Sequence, residues 1–269
     1  MEYDPVKDRF GTLVAGSRWR TRLFFQLLHL FFLRAWHVRK ALRAAIGARD
    51  RSLRILDAGT GFGQFAWWIV SRWPRATIHA VDIKPDYLDR AKAFLTQEGL
   101  VDRVSFAIDD LTALQAEGPF DLILSVDVME HILEDVTVFK HFHRVLQPGG
   151  IVIINTPSDQ GGSDAHTEGE SFIGEHVRDG YGREEIRHKL AQAGLEADVV
   201  DYTYGFFGSL AWRLTIKWPM LWLNASFAAV VLLPFWYALV LIPALVLNSM
   251  DLSRKNPTGT GLLVVAHRP

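Results

Sequence analysis

Cysteine is missing altogether from the 269 residues. Disulfide frameworks, thiolate zinc sites and cysteine nucleophiles are thereby excluded. A strong net charge is missing too: 29 Lys/Arg stand against 30 Asp/Glu, a net of -1. A generic nucleic-acid binder would usually be strongly basic, so no nucleic-acid partner is expected. Charged residues make up only 22% and hydrophobic residues 49%, a balance that excludes a disordered chain. The first 22 residues hold no apolar run behind Met1, so no secretory leader is expected. Internal repeats are also lacking. The length suits one large domain or two small ones with ample core.

What is present is unevenly spread. Residues 1–50 carry ten Lys/Arg against four Asp/Glu. Within them, 23–33 (LFFQLLHLFFL) is strongly apolar, with Arg18, Arg20 and Arg22 before it and Arg34, Arg39, Lys40 and Arg43 after. Eleven helical residues rise about 16 Å, roughly half a bilayer's hydrocarbon core. A span is not expected at that length, and a basic amphipathic helix lying at a membrane surface is expected. Residues 218–250 are a second anomaly, 33 positions without one charge.

From Arg51 onward, short apolar runs alternate with amphipathic segments. Strands are predicted at 53–57, 77–82, 104–108, 121–126, 151–155, 196–204 and 261–267. Helices are predicted at 63–72, 85–97, 135–146 and 183–193. The alternation means crossover connections and a parallel sheet covered on both faces. The fold expected is α/β, a doubly wound Rossmann-like sheet of seven mostly parallel strands. Its boundaries would be an amino-terminal helical segment at 1–50, a domain at 51–205 plus 259–269, and an apolar helical insertion at 206–258 between the last two strands. Pro148-Gly149-Gly150 stops a helix before the fifth strand. Residues 158–181 form a polar, Gly-rich link long enough to be a lid or a disordered segment.

Leu53 to Gly63 (LRILDAGTGFG) runs a buried strand into Gly59, Gly61 and Gly63, which permit a tight turn and close backbone approach by a ligand. Asp82, at the end of the next strand, is placed to accept hydrogen bonds from ribose hydroxyls. Glycine spacing alone leaves a dinucleotide site open. Against it, Gln64 stands where the third dinucleotide glycine is expected. Asp57, just before the glycines, suits a cationic ligand better than a pyrophosphate.

With these motifs in this order, the chain resembles the class I S-adenosylmethionine-dependent methyltransferases over about 53–204 and the last strand. The resemblance implies S-adenosylmethionine as cofactor, its methionyl part cradled by Asp57, Gly59, Thr60, Gly61 and Gly63. It implies ribose on Asp82, adenine beside Ile83, and an acid after the third strand on the adenine amino group. Asp110 fits that acid best, with Asp109 one residue away and Leu111 following. Residues 120–131 (FDLILSVDVMEH) match the fourth strand and the start of its helix, with Asp127 at the cofactor edge.

Methyl transfer needs an aligned, deprotonated acceptor, and a general base helps where the acceptor is a hydroxyl. His131 is the candidate base, since imidazole serves at neutral pH, and Glu130 a candidate substrate contact. The Met-Glu-His-Ile run is similar to quinone O-methyltransferases, in some of which the matching positions hold a divalent metal. Asp127, Glu130 and His131 are the ligands such a metal would use. In the long link, His176 and Tyr181 are candidates for closing over the acceptor, and Arg178 for pairing an anionic head group.

Residues 218–250 contain Pro234, Pro243, Trp222, Trp236 and Tyr237, and are flanked by Arg213, Lys217, Arg254 and Lys255. The strands on either side belong to one sheet, so both ends return to one side of any membrane. Two crossings need about 40 residues. The expectation is a re-entrant hairpin bent near Pro234, or helices lying in the interface, with both ends cytoplasmic. Taken together, these features predict a methyltransferase on the cytoplasmic face of a membrane, acting on a lipid, quinone or other isoprenoid, with oxygen as the expected acceptor atom. The alternatives are a soluble acceptor with the insertion as anchor or homodimer interface, and a non-catalytic cofactor-binding membrane adaptor.

Overall fold

The computed structural model describes residues 17–48, 50–161 and 177–269. Runs rich in Val, Ile and Leu become the inner strands β1 (Leu53–Ala58), β2 (Ala76–Asp82), β4 (Phe120–Val126) and β5 (Leu146–Pro157), and β3 (Val104–Ile108) forms a less buried edge. β6 (Glu196–Thr203) and β7 (Gly261–His267) complete a sheet ordered β3-β2-β1-β4-β5-β7-β6. Only β7 is antiparallel to its neighbours. The order reverses between β1 and β4, which opens a crevice at the carboxyl ends of those strands.

Helices cover both faces. On one lie α5 (Asp135–Val145) and α6 (Arg183–Gln192), which bury Val138, Phe139, Phe142, Ile186 and Leu190. On the other lie α2 (Leu33–Ile46), α3 (Gln64–Val70) and α4 (Pro85–Gln97), with Val38, Leu42, Ile46, Trp68 and Phe94 inside. The expectation for the amino-terminal segment therefore needs correction. It forms two helices, α1 (Arg18–Phe31) and α2, with a break at Phe32, which is extended. Ala35, Val38, Leu42 and Ile46 recur at helical spacing and are fully buried, so α2 is part of the domain core. α1 is two-sided. Phe25 and His29 are buried against Trp67, Trp68 and Phe94, whereas Trp19, Leu23 and Leu27 are exposed.

Between β6 and β7 the chain makes a helical hairpin. It leaves along a continuous rod, α7 (Phe206–Trp212), a π-helical turn (Arg213–Lys217) and α8 (Trp218–Ala225). It returns through a 3-10 turn (Phe227–Leu232) and α9 (Leu233–Ser253). The reversal is at Ser226, φ -158° and ψ 124°, not near Pro234 as expected. Pro234 stands in the first turn of α9, where a missing N–H costs nothing. At the hairpin's base, Asp251 is fully buried and accepts from His37 Nε2 at 3.0 Å and from Gly208 N at 3.1 Å. That carboxylate ties α2, α7 and α9 together.

The link after β5 is closed at its described ends. Ser158 bridges to Tyr181, and Tyr181 N donates to Pro157 O at 3.1 Å. Residues 162–176, which include His176, lie outside the described residues.

Candidate active site

The crevice is built first from backbone. Gly59, Gly61 and Gly63 all have positive φ. Gly61 shows why side chains are excluded: at φ +55° a Cβ would be strained and would project into space that holds no protein atom within 4 Å. Gly59 N and Thr60 N both donate to Val81 O at 2.9 Å, which pins the loop across to β2. Asp82 receives Gly61 N at 2.8 Å on one oxygen and Lys84 N at 3.0 Å on the other. Each of those oxygens keeps a further lone pair for ribose hydroxyls. Ile83 and Ile108, just after β2 and at the end of β3, are 51% and 65% exposed. Two exposed isoleucines at the carboxyl ends of neighbouring strands offer apolar surface suited to flank a purine ring.

Asp57 lies under the loop, 4% exposed, and accepts from Thr60 Oγ1 at 2.6 Å. Burial pushes its carboxyl up to about 7, the Thr60 hydrogen bond opposes this, and the neighbouring Asp82 adds to it. A buried carboxylate without a cation is what an ammonium or sulfonium would complete. The residues present therefore fit S-adenosylmethionine.

The two candidate adenine acids separate cleanly. Asp109 is buried and spends its oxygens on Gln115 N and Ala116 N, at 2.9–3.1 Å, so it shapes the loop and cannot reach a ligand. Asp110 is exposed and caps Thr112 N at 2.8 Å. Leu111 has its side chain in the core, which removes it as a side-chain contact.

At the end of β4 the sequence reasoning missed a polar cluster. Asp127 has φ 54°, a left-handed conformation that costs energy for a non-glycine residue. It is held there by Arg34 at 2.5 Å, by Asn155 Nδ2 at 3.3 Å and by its own N–H on Asn155 O at 2.9 Å. Arg34 comes from the first turn of α2, and its N–H donates to Tyr204 Oη at 3.1 Å. Glu130 is 2% exposed, accepts from Thr156 Oγ1 at 3.2 Å, and has its carboxyl raised by burial and by Asp127. Tyr204 is pushed up to about 12, chiefly by burial. Arg34 had been read only as a basic flank of a lipid-facing run. Asn155, Thr156 and Tyr204 carried one available signal, their position at the carboxyl ends of β5 and β6.

His131 closes the 3-10 turn Met129–His131 and is half-buried, two residues before the exposed Leu133. Two other expectations are overturned. Tyr181 is fully buried, and its hydroxyl donates to Asp135 at 2.8 Å and to Met129 O at 3.2 Å. Arg178 bonds Asp135 at 2.6 Å and Ile132 O at 2.8 Å, with its guanidinium over the Tyr181 ring. Both residues fasten the link to the start of α5 and are not available to an acceptor. A metal does not fit either. Among the described residues no three His, Asp or Glu converge, and Arg34, Asn155 and Thr156 engage the oxygens of Asp127 and Glu130.

Residues 55–150 match the family model described as "Methyltransferase domain". The tRNA 5-carboxymethoxyuridine methyltransferase of Escherichia coli is 34% identical over 153 residues, 56% of this chain and 54% of that protein. The ubiquinone biosynthesis O-methyltransferase of a Caulobacter species is 27% identical over 164 residues, 57% of this chain and 63% of that protein. Phosphoethanolamine N-methyltransferase 2 of Haemonchus contortus, solved with S-adenosyl-L-methionine, shares the fold at a TM-score of 0.60 and 22% identity, over 87% of this chain and 53% of that one. The chain spans less than two thirds of the length of the curated relatives it matches.

Proposed function

We propose, from the match of residues 55–150 to a methyltransferase domain, that the protein is an S-adenosylmethionine-dependent enzyme that methylates a lipid-phase small molecule at oxygen while seated on a membrane. The observation that carries the membrane part is the hairpin, whose return helix exposes Phe235, Leu239, Ile242 and Val246, all more than half uncovered. Those four lie along one helix face. Their opposite, Val240, Ala244, Asn248 and Asp251, is buried on the domain. The likeness to a ubiquinone biosynthesis O-methyltransferase supports an isoprenoid quinone, or a lipid of similar polarity, as acceptor.

S-adenosylmethionine supplies an electrophilic methyl group. The chain's own residues do the rest. Asp57 and the glycine loop hold the cationic end, Asp82 the ribose, and Ile83 with Ile108 the adenine, whose amino group Asp110 is placed to receive. On the turn at the crevice, Glu130 is 2% exposed with its carboxyl raised by burial, which leaves the half-buried His131 as the group to take the acceptor's hydroxyl proton. Arg34, by pairing Asp127, keeps that carboxylate from raising Glu130 further. Positioning supplies much of the acceleration.

The test incubates the protein with membranes and methyl-labelled cofactor. Label should enter the organic extract, and Asp82→Ala should lower it at limiting cofactor by weakening cofactor binding about ten- to a hundredfold. Label confined to water-soluble products would overturn the lipid-phase acceptor and favour the hairpin as an anchor or dimer interface. No transfer with intact cofactor binding would favour a non-catalytic adaptor.

A further inference from the structure

On the α1–α2–α3 side of the sheet there is an open cleft of about 890 Å³ that contains none of the crevice residues described above. Its walls carry Arg22, Arg39, Lys40, Arg43 and Arg72, together with Trp68 and His29. Three guanidiniums gather on one indole: Arg72, Arg39 and Arg43 stand 4.6, 5.3 and 5.6 Å from the Trp68 ring centroid. Glu98 is the single carboxylate among the described lining residues, and Arg18 Nε at 2.6 Å and Trp67 Nε1 at 3.3 Å already engage it.

The hydrogen-bond inventory of this cleft is lopsided. Trp68 Nε1, Arg39 Nε and His29 Nε2 are buried and have no partner. Trp68 and His29 are 1% and 5% exposed. The indole and guanidinium nitrogens can only donate. His29 Nδ1 receives Gln64 Nε2 at 3.5 Å, which assigns the imidazole proton to Nε2. Burial, then Arg39 and Arg72, lower His29 to about 3, so that nitrogen is a neutral donor at physiological pH. Arg39, Lys40 and Arg72 each donate to one backbone carbonyl, of His29, Leu252 and Trp68 at 3.5, 2.8 and 3.3 Å, and the three orphaned donors beside them suit an oxyanion with several lone pairs.

We propose that this cleft is a binding site for a phosphate group, separate from the methyl-transfer crevice. Guanidiniums match phosphate geometry, and the stacked Trp68 holds them spread and ready. Phosphate could arrive as a lipid head group, because Arg22 shares α1 with the exposed Trp19, Leu23 and Leu27, or as a soluble phosphate. The inference does not depend on the methyl-transfer reading.

Two measurements on the full chain separate the sources. Labelled orthophosphate is followed by equilibrium dialysis at low ionic strength. Co-sedimentation compares phosphatidylcholine vesicles with vesicles that also contain phosphatidylglycerol. Wild type should bind orthophosphate, and Arg39→Gln/Arg43→Gln should bind it roughly tenfold or more weakly. If phosphatidylglycerol raises vesicle binding of wild type but not of the variant, the phosphate comes from lipid. If only the orthophosphate difference appears, the ligand is soluble. Without anion, the double variant should unfold at the same temperature or higher, since like charges have been removed; a merely structural cluster would lose stability. Should the double variant not fold, Arg43→Gln alone carries the same comparison. Equal binding by variant and wild type, or no binding of either probe by wild type, overturns the proposal.

Discussion

Asp57 couples the crevice to pH. Its carboxyl, raised to about 7 by burial, lends relative stability that is complete below the ordinary carboxylate range and lost as pH rises through about 7. A cationic ligand favours the ionised form, so binding below that pH must expel a proton. Cofactor affinity should therefore rise about tenfold per unit as pH approaches 7, then level off. Calorimetry in two buffers of different ionisation enthalpy would show the released proton, and an affinity flat from pH 5 to 8 would detach Asp57 from the cation. Arg34 gives a second prediction. Arg34→Gln removes the partner of Asp127 and leaves Asp127 and Glu130 facing each other. The acidic limb of the kcat/KM profile should move to higher pH, because two unscreened carboxylates hold protons more tightly. Turnover should fall more than cofactor affinity. An unmoved limb would detach the working base from this carboxylate pair.

The strands and core helices were legible because a doubly covered parallel sheet demands continuous apolar runs, and 122–124 and 151–154 declare themselves that way. What the sequence could not separate was an apolar face turned to lipid from one turned to its own domain: α1 is edged with arginines in either case. Arg178 and Tyr181 misled for a similar reason, since groups fit to grip a ligand are equally fit to grip Asp135. Proline showed the limits of punctuation. Pro219, not Pro234, controls the hairpin. It lacks the N–H that would reach Thr215 O in an α-helix or Leu214 O in the π-turn. Those two carbonyls instead receive Tyr237 Oη at 2.7 Å and Trp236 Nε1 at 2.9 Å. The return helix thus caps the outbound one. Tyr237→Phe should cost about 1 kcal/mol. Adding Pro219→Ala, which restores an N–H, should recover most of it. Thermal unfolding of the three variants checks this cycle, and equal losses with and without Pro219 would break the account.

At the scale of the whole molecule, exposure and anchoring decide how the hairpin meets a bilayer. Ala228–Ser253 is long and apolar enough to cross a membrane. Yet its carboxyl end is fastened inside the domain by Asp251, and both arms return to neighbouring strands. The proposed seating is therefore shallow. In that proposal the part near the turn would enter one leaflet, with Val231, Phe235, Leu239 and Ile242, 67–75% exposed, leading. Phe31 of α1 touches Tyr237 at 5.5 Å between ring centroids, so the exposed stripe Trp19, Leu23 and Leu27 belongs to a helix that borders the same hairpin. Each Leu, Ile, Val or Phe taken wholly from water contributes about 1.5–3 kcal/mol. Three or four suffice to reach the roughly 8 kcal/mol of micromolar binding. Salt does not screen that contribution, whereas basic residues near the surface add about 1 kcal/mol each and are screened. High salt should consequently weaken vesicle binding without abolishing it. Phe235→Ser/Leu239→Ser/Ile242→Ser changes side chains that are mostly in water already, so folding and cofactor affinity should hold while flotation with vesicles is lost. Complete release of the unaltered protein by salt would favour a purely electrostatic seat. Loss of cofactor binding in the triple variant would place that face against protein rather than lipid.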